Sequence, residues 1–361
     1  MPPSITKHWF LLALGSMLIA NNAAAEISQD SWRRMNQNIV SQHILPGYEE
    51  LLSQATRLEL STTQLCKAPT TENLETSRHE FRSTLAAWQG IQHITFGPIE
   101  LLMRSYSIQF WPDKKNLTSK QLNKLLQAED PDTLTDTAFQ TASIAVKGLP
   151  AMERILFSDK AIELIQQSPF RCQLLHAISN YVKDQSEDTY REWQAFQTEF
   201  TYLESEEGQY ESAQEASIDL LKSQIEPLEI IRDLKLIRPL GKQKAKTRRL
   251  ESWRSQHSLQ NIQINLQSLH HMYSGLEGAN LYGLLKEQGA IDLANKIEQQ
   301  FTELEHLIEG IPTPLEQHIH DEVVRNKLQM LAEGIERLGK YFETSMKHIQ
   351  IQLGFNSRDG D

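Results

Sequence analysis

VRNKLQMLAEGIERLGKYFETSM, residues 324–346, places Val324, Leu328, Leu331, Ile335, Leu338, Phe342 and Met346 at steps of four and three. That spacing winds the apolar side chains onto one stripe of an α-helix and leaves the charged residues facing away from it. The same stepping runs through Leu259, Ile262, Leu266, Leu269, Tyr273 and Leu276, and through Leu293, Ile297, Phe301, Leu304 and Ile308. Phe81, Leu85 and Trp88 repeat it earlier in the chain. No stretch sustains period-two alternation, and no Asn-Gly or Asp-Gly sits between two apolar runs. The fold class expected is all-α, as two helical-bundle domains packed side by side.

Punctuation sets the expected boundaries. Pro46-Gly47 should interrupt a first helix over about 27–44, with a second over about 48–66. A third, from about 73 to 95, should end or kink at Phe96-Gly97-Pro98, and residues 105–131 look irregular. Later helices are expected over about 170–204, 245–275, 279–287, 289–309 and 315–352. Residues 26–205 would form the N-terminal bundle and 206–355 the C-terminal one.

The first 25 residues read as an address. Lys7 and His8 precede an apolar run from Trp9 to Ala20, followed by Ala23-Ala24-Ala25, the pattern of a cleavable signal peptide. Cleavage is expected after Ala25, with no Cys at the new terminus to carry a lipid and no later stretch apolar enough to span a membrane. The expected location is the periplasm. Cys66 and Cys172, two cysteines outside any CxxC, then pair as one long-range disulfide or remain buried thiols; pairing is the natural reading for an exported chain. A formal charge of −11 argues against nucleic-acid binding. Arg238, Lys242, Lys244, Lys246, Arg248 and Arg249 are a local exception, readable as a solvated basic segment or as an anion patch.

Three segments could carry chemistry. In Trp88–Arg104 a helix is broken by Gly97-Pro98, with His93 before the break and Glu100 and Arg104 after it; the last two could pair at i,i+4. In GLPAMERILF, residues 148–157, Pro150 suits a first helical turn and Glu153 sits where the helix dipole favours a carboxylate. In ESWRS, residues 251–255, Glu251, Trp253, Arg254 and Ser255 crowd an acid, an aromatic, a base and a hydroxyl together. HExxH, Walker, GxSxG and GxGxxG patterns are absent.

Together the export signal, FGPIE (96–100), GLPAMERILF and the PLG…ESWRS…NI segment resemble the imelysin family of exported bacterial proteins. That family is related to periplasmic iron-uptake components and to an insulin-cleaving metallopeptidase, and the resemblance covers roughly residues 35–345. It implies an all-helical fold of two bundle-like domains with a ligand site in the crevice between them. The family motif GxHxxE falls on Gly148 and Glu153, and its His position is Pro150, which cannot ligate a metal. The implied ligand-binding candidates are Trp88, His93, Glu100, Arg104, Gly148, Glu153, Glu251, Arg254 and Ser255, with Glu153, Glu100 and His93 as metal candidates. Glu100, Glu153 and Glu251 would suit iron or another divalent or trivalent metal, and Arg104 and Arg254 an anionic metal chelate. The expected function is a non-enzymatic binding component linked to iron or metal uptake, working with envelope uptake proteins. The alternatives are a metal-dependent peptidase and a structural envelope protein with no ligand.

Overall fold

Side-chain caps start several of the helices. Ser28 accepts from the Ser31 N–H at the head of α1 (Gln29–Ile39), and Thr70 from the Asn73 N–H at the head of α3 (Thr71–Ile91). Between them runs α2 (Leu45–Lys67). The computed structural model describes residues 26–203 and 208–353. The expected signal peptide, the boundary between residues 205 and 206, and residues 354–361 lie outside the described residues.

After α3 the chain makes a 3-10 segment, Gly97–Met103, and then α4 (Arg104–Ile108), α5 (Leu117–Ala128) and α6 (Asp136–Thr141). Next come α7 (Gly148–Leu156), α8 (Ala161–Gln167) and the long α9 (Pro169–Tyr202), capped by Ser168. The second half holds α10 (Ala213–Glu229), α11 (Arg238–Leu240), α12 (Ser258–His270) and α13 (Leu281–Glu287). It closes with α14 (Ile291–Glu309), α15 (Leu315–His318) and α16 (Glu322–His348). No strand occurs among the described residues, so the chain is all-α.

The seven stripe residues of α16 are buried, as their spacing predicts. They pack on α14 and α10, while α2 packs against both α3 and α9. These two groups of helices meet where α1 lies on α10 and α3 on α12, and their buried apolar side chains form one continuous cluster. Cys66 and Cys172 are bonded, tying the end of α2 to the start of α9.

Four local expectations are corrected. Pro46-Gly47 does not interrupt the first helix, because a π-helical turn, Val40–Ile44, carries the axis from α1 into α2 and puts Pro46 in the first turn of α2, where no N–H is needed. Residues 117–128, read as irregular, are helical; Asp113 starts them by accepting from the N–H groups of Leu117 and Thr118. The segment 250–257, read as helix, is a run of turns with Ser252 and Gln256 in the left-handed region. The last predicted helix is two, α15 and α16, separated by a short turn at 319–321.

Candidate functional site

A crevice of about 510 Å³ opens between the two groups of helices. One wall comes from α3, the segment Gln109–Ser119 and the start of α7; the other comes from Arg238 and residues 248–254. The turns at 250–257 are what make the second wall possible. A helix there would point successive side chains around an axis, whereas the turns bring Glu251, Trp253 and Arg254 to one cavity.

Glu153 is buried on the first wall. Its Oε1 accepts from the backbone N–H of Ser255 at 3.0 Å and from the Ser255 hydroxyl at 2.8 Å, so it fastens the turn of the opposite wall. Burial pushes its carboxyl above the ordinary range, against the pull of those hydrogen bonds and of Arg254 and Arg154. Arg154 beside it donates to Ser119 Oγ at 2.9 Å and to the Pro150 carbonyl at 2.7 Å.

Glu251 is also buried, and it is spoken for. Lys235 Nζ lies 2.8 Å from its Oε2, Asn261 donates to the same oxygen at 2.8 Å, and Gln109 donates to Oε1 at 3.1 Å. Lys235 Nζ also donates to Gln89 Oε1 and Asn265 Oδ1, both at 2.7 Å. Burial pulls the Lys235 ammonium down against the attraction of Glu251, and three acceptors match its three protons. Trp88 stands behind the first wall, its indole N–H donating to Gln109 Oε1 at 2.5 Å.

The remaining candidates lie elsewhere. Gly148 does not line the crevice; with φ +70° it lets α7 approach the end of α4, where a Cβ would collide with the carbonyl oxygens of Ser107 and Ile108. Arg104 is buried and pairs with Glu192 through both terminal nitrogens, at 2.5 and 2.8 Å, rather than with Glu100. Glu100 is exposed. His93 Nε2 sits 2.8 Å from His43 Nε2, on the edge of a separate small cavity with Lys235 and Asn265. The expected metal trio of Glu153, Glu100 and His93 therefore does not share a cavity. Among the described residues no three His, Cys, Asp or Glu side chains converge to hold a metal. At the family motif, Pro150 lines the crevice with no donor atom, Glu153 is held by Ser255, and two arginines stand beside it. This donor set does not fit a resident metal ion.

What the crevice offers instead is positive charge. Arg154, Arg238, Arg248, Arg249 and Arg254 line it, against Asp113, Glu153 and Glu251. Arg254 stacks over the Trp253 ring with its guanidinium carbon 4.2 Å from the centroid, and Arg248 approaches the same ring at 5.8 Å. Of the five, only Arg154 forms an ion pair, a long one of 4.0 Å to Asp113, among the described residues. Arg238, Arg248 and Arg249 belong to the basic run singled out in the sequence; its lysines do not reach the cavity. Asp113, Arg154 and the Lys235 cluster were missed. The signal for the cluster was a pair of asparagines, Asn261 and Asn265, one turn apart beside an apolar stripe.

Fold and site define a class: an all-helical protein with an arginine-lined crevice between two packed groups of helices. The Imelysin family model matches residues 44–340, and the chain belongs to the imelysin family. Among solved structures it is similar to an imelysin-like protein from Psychrobacter arcticum 273-4, with TM-score 0.75 and 18% identity over 92% of this chain and 99% of that one. It is also similar to an iron-regulated protein A precursor from Parabacteroides distasonis ATCC 8503, with TM-score 0.74 and 15% identity over 90% and 97% of the two chains. At these identities the likeness establishes the fold. No curated protein matches the chain.

Proposed function

We propose that this chain is an exported, periplasmic imelysin-family protein that binds an anionic metal chelate in the arginine crevice, without catalysing a reaction on it. The metal arrives as cargo inside the chelate. The observation that carries this reading is an imbalance: the buried carboxylates of the crevice are held by the protein's own donors, while among the described residues only Arg154 of its five guanidinium groups forms a salt bridge, and Arg254 feels Glu153 only at longer range. Guanidinium groups suit the multiple carboxylate or phenolate oxygens of a chelate, and the Trp253 face suits its apolar parts. The link to iron draws support from the name of the Parabacteroides neighbour. A role beside envelope uptake proteins belongs to the same proposal. No helix among the described residues is long and apolar enough to cross a membrane.

Calorimetric titration tests it with three probes: ferric nitrilotriacetate, the metal-free chelator, and ferrous ion alone. The chelate should bind, Arg254→Ala and Arg248→Ala should each weaken it about tenfold, near 1.4 kcal/mol, and added salt should weaken it further. Ferrous ion binding as tightly as the chelate, with both arginine variants unaffected, would overturn the reading.

A further inference from the structure

Four of the large exposed apolar side chains fall within six residues: Leu101, Leu102, Met103 and Tyr106. Leu102 is 84% exposed, and Leu101, Met103 and Tyr106 are each more than half exposed. The backbone beneath them is strained, with Leu102 at φ +53° and Met103 at φ +55° in consecutive left-handed conformations. Glycine or asparagine takes such positions readily; leucine and methionine take them at a cost. A surface turn with no partner has every reason to use polar residues here, both for water and for φ.

The base of this knuckle is pinned. Arg104, buried beneath it, donates to the Pro98 carbonyl at 2.9 Å and clamps Glu192 of α9. Gly97 sits where a Cβ would press on the rings of Trp193 and Phe196. The conformation is thus imposed from below, and the apolar tips are presented rather than loosely mobile. Carboxylates flank them. Glu100 immediately precedes the tip, with Asp219 nearby, while Glu192 and Asp188 on the Arg104 side are paired with Arg104 and Arg191, so the uncompensated charge of the flank is that of Glu100 and Asp219. An anionic lipid surface would be repelled by that flank, whereas a basic amphipathic segment would satisfy both features.

We propose that the Leu101–Met103 knuckle is a docking surface for a protein partner that offers a basic amphipathic helix, apolar on the face it lays against Leu102 and Met103 and lysine- or arginine-rich at its edges. The proposal does not depend on what fills the crevice, so failure of the chelate titration leaves it standing. The probe is a fluorescent peptide of alternating Leu and Lys blocks that forms about five helical turns, compared with a Lys–Ser peptide of equal charge. The Leu–Lys peptide should bind the mature protein about tenfold tighter than the Lys–Ser peptide. The double variant Leu102→Asn/Met103→Asn should lose that advantage while melting at or above the wild-type temperature, because Asn tolerates positive φ. Glu100→Gln with Asp219→Asn should weaken binding and flatten its salt dependence. Equal binding of the Leu–Lys peptide to the Asn variant, or equal binding of both peptides to the wild type, would overturn the proposal. So would a knuckle-dependent association with neutral vesicles or a knuckle-dependent dimer in sedimentation, which would assign the surface to a membrane or to a second copy.

Discussion

Glu153 and Glu251 are both buried carboxyls on the crevice walls, yet their partners set different responses to mutation. Glu251 faces a buried ammonium, so Glu251→Ala strands Lys235 and should cost about 3–5 kcal/mol. Replacing both partners by methionine should recover most of that loss. Glu153 serves as an acceptor for Ser255, so Glu153→Gln should melt near the wild type, while Glu153→Ala orphans the buried Ser255 N–H at about 1–3 kcal/mol and leaves the hydroxyl to the Ser252 carbonyl. Urea unfolding of the four variants checks the ordering; a Glu153→Gln protein as unstable as Glu251→Ala would show that its charge, not its acceptor oxygen, holds the turn. Glu153, Glu251, Arg254 and Ser255 were all legible in the sequence as residue types worth attention. Their pairing was not, because a contact between positions 102 apart depends on turns that read as helix. Lys235, one charge among several in EIIRDLKLIR (229–238), carries no sequence mark of its burial. Glu100 and Arg104 looked like an i,i+4 pair, and the left-handed turn between them separates them.

At the scale of elements, three π-helical segments, Val40–Ile44, Ile230–Ile237 and His271–Gly275, carry His43, Lys235 and His271. Each wide turn shifts the face that the following residues present, and no simple periodicity announces it. That is why the apolar stripes gave the helices away while the internal polar chain stayed hidden. His43 bridges His93 at 2.8 Å and His271 at 3.3 Å through its two ring nitrogens. Burial lowers all three, His93 to about 3. His257 is lowered to about 4, first by burial and then by Arg82. The sign follows from linkage. The folded rings stay neutral, the unfolded rings protonate near pH 6.5, and stability present above that value is lost as pH falls toward 3 or 4. For His93 alone the loss between pH 7 and pH 5 is about 2 kcal/mol. Glu153, raised in the fold, acts in the opposite sense, weakening the fold as pH rises above its ordinary value near 4.5. The histidines should dominate between pH 6.5 and 5, so urea midpoints should fall steadily over that interval. His93→Gln should flatten the slope by about one proton. A wild-type slope of zero there would mean that the imidazoles titrate normally in the fold.

The whole molecule depends on one covalent tie whose position bears on the site. The Cys66–Cys172 bond closes 106 residues, from the end of α2 to the start of α9. Inside that loop lie α3, the segment Gln109–Ser119 and α7, which together make the first wall of the crevice. The second wall, with Arg238 and Arg248 to Arg254, lies outside it. Both cysteines were readable from the sequence, since two cysteines have one pairing open to them. Which elements that pairing would gather could be seen only in the fold. Removing the bond frees the unfolded chain, and the simplest chain-entropy argument puts the loss at about 4–5 kcal/mol as an upper value. The tie also holds one wall and not the other, so its loss should affect binding as well as stability. Cys66→Ser/Cys172→Ser should unfold at lower urea than the oxidised wild type, and the reduced wild type should match the variant. Under conditions where the variant is still folded, ferric nitrilotriacetate should bind it more weakly, because Arg154 on the tethered wall loses its fixed distance from Arg254 on the other. If the variant loses stability but binds the chelate with wild-type affinity, the walls are held together by Glu153–Ser255 and the Lys235 cluster alone, and the disulfide acts only on the unfolded chain.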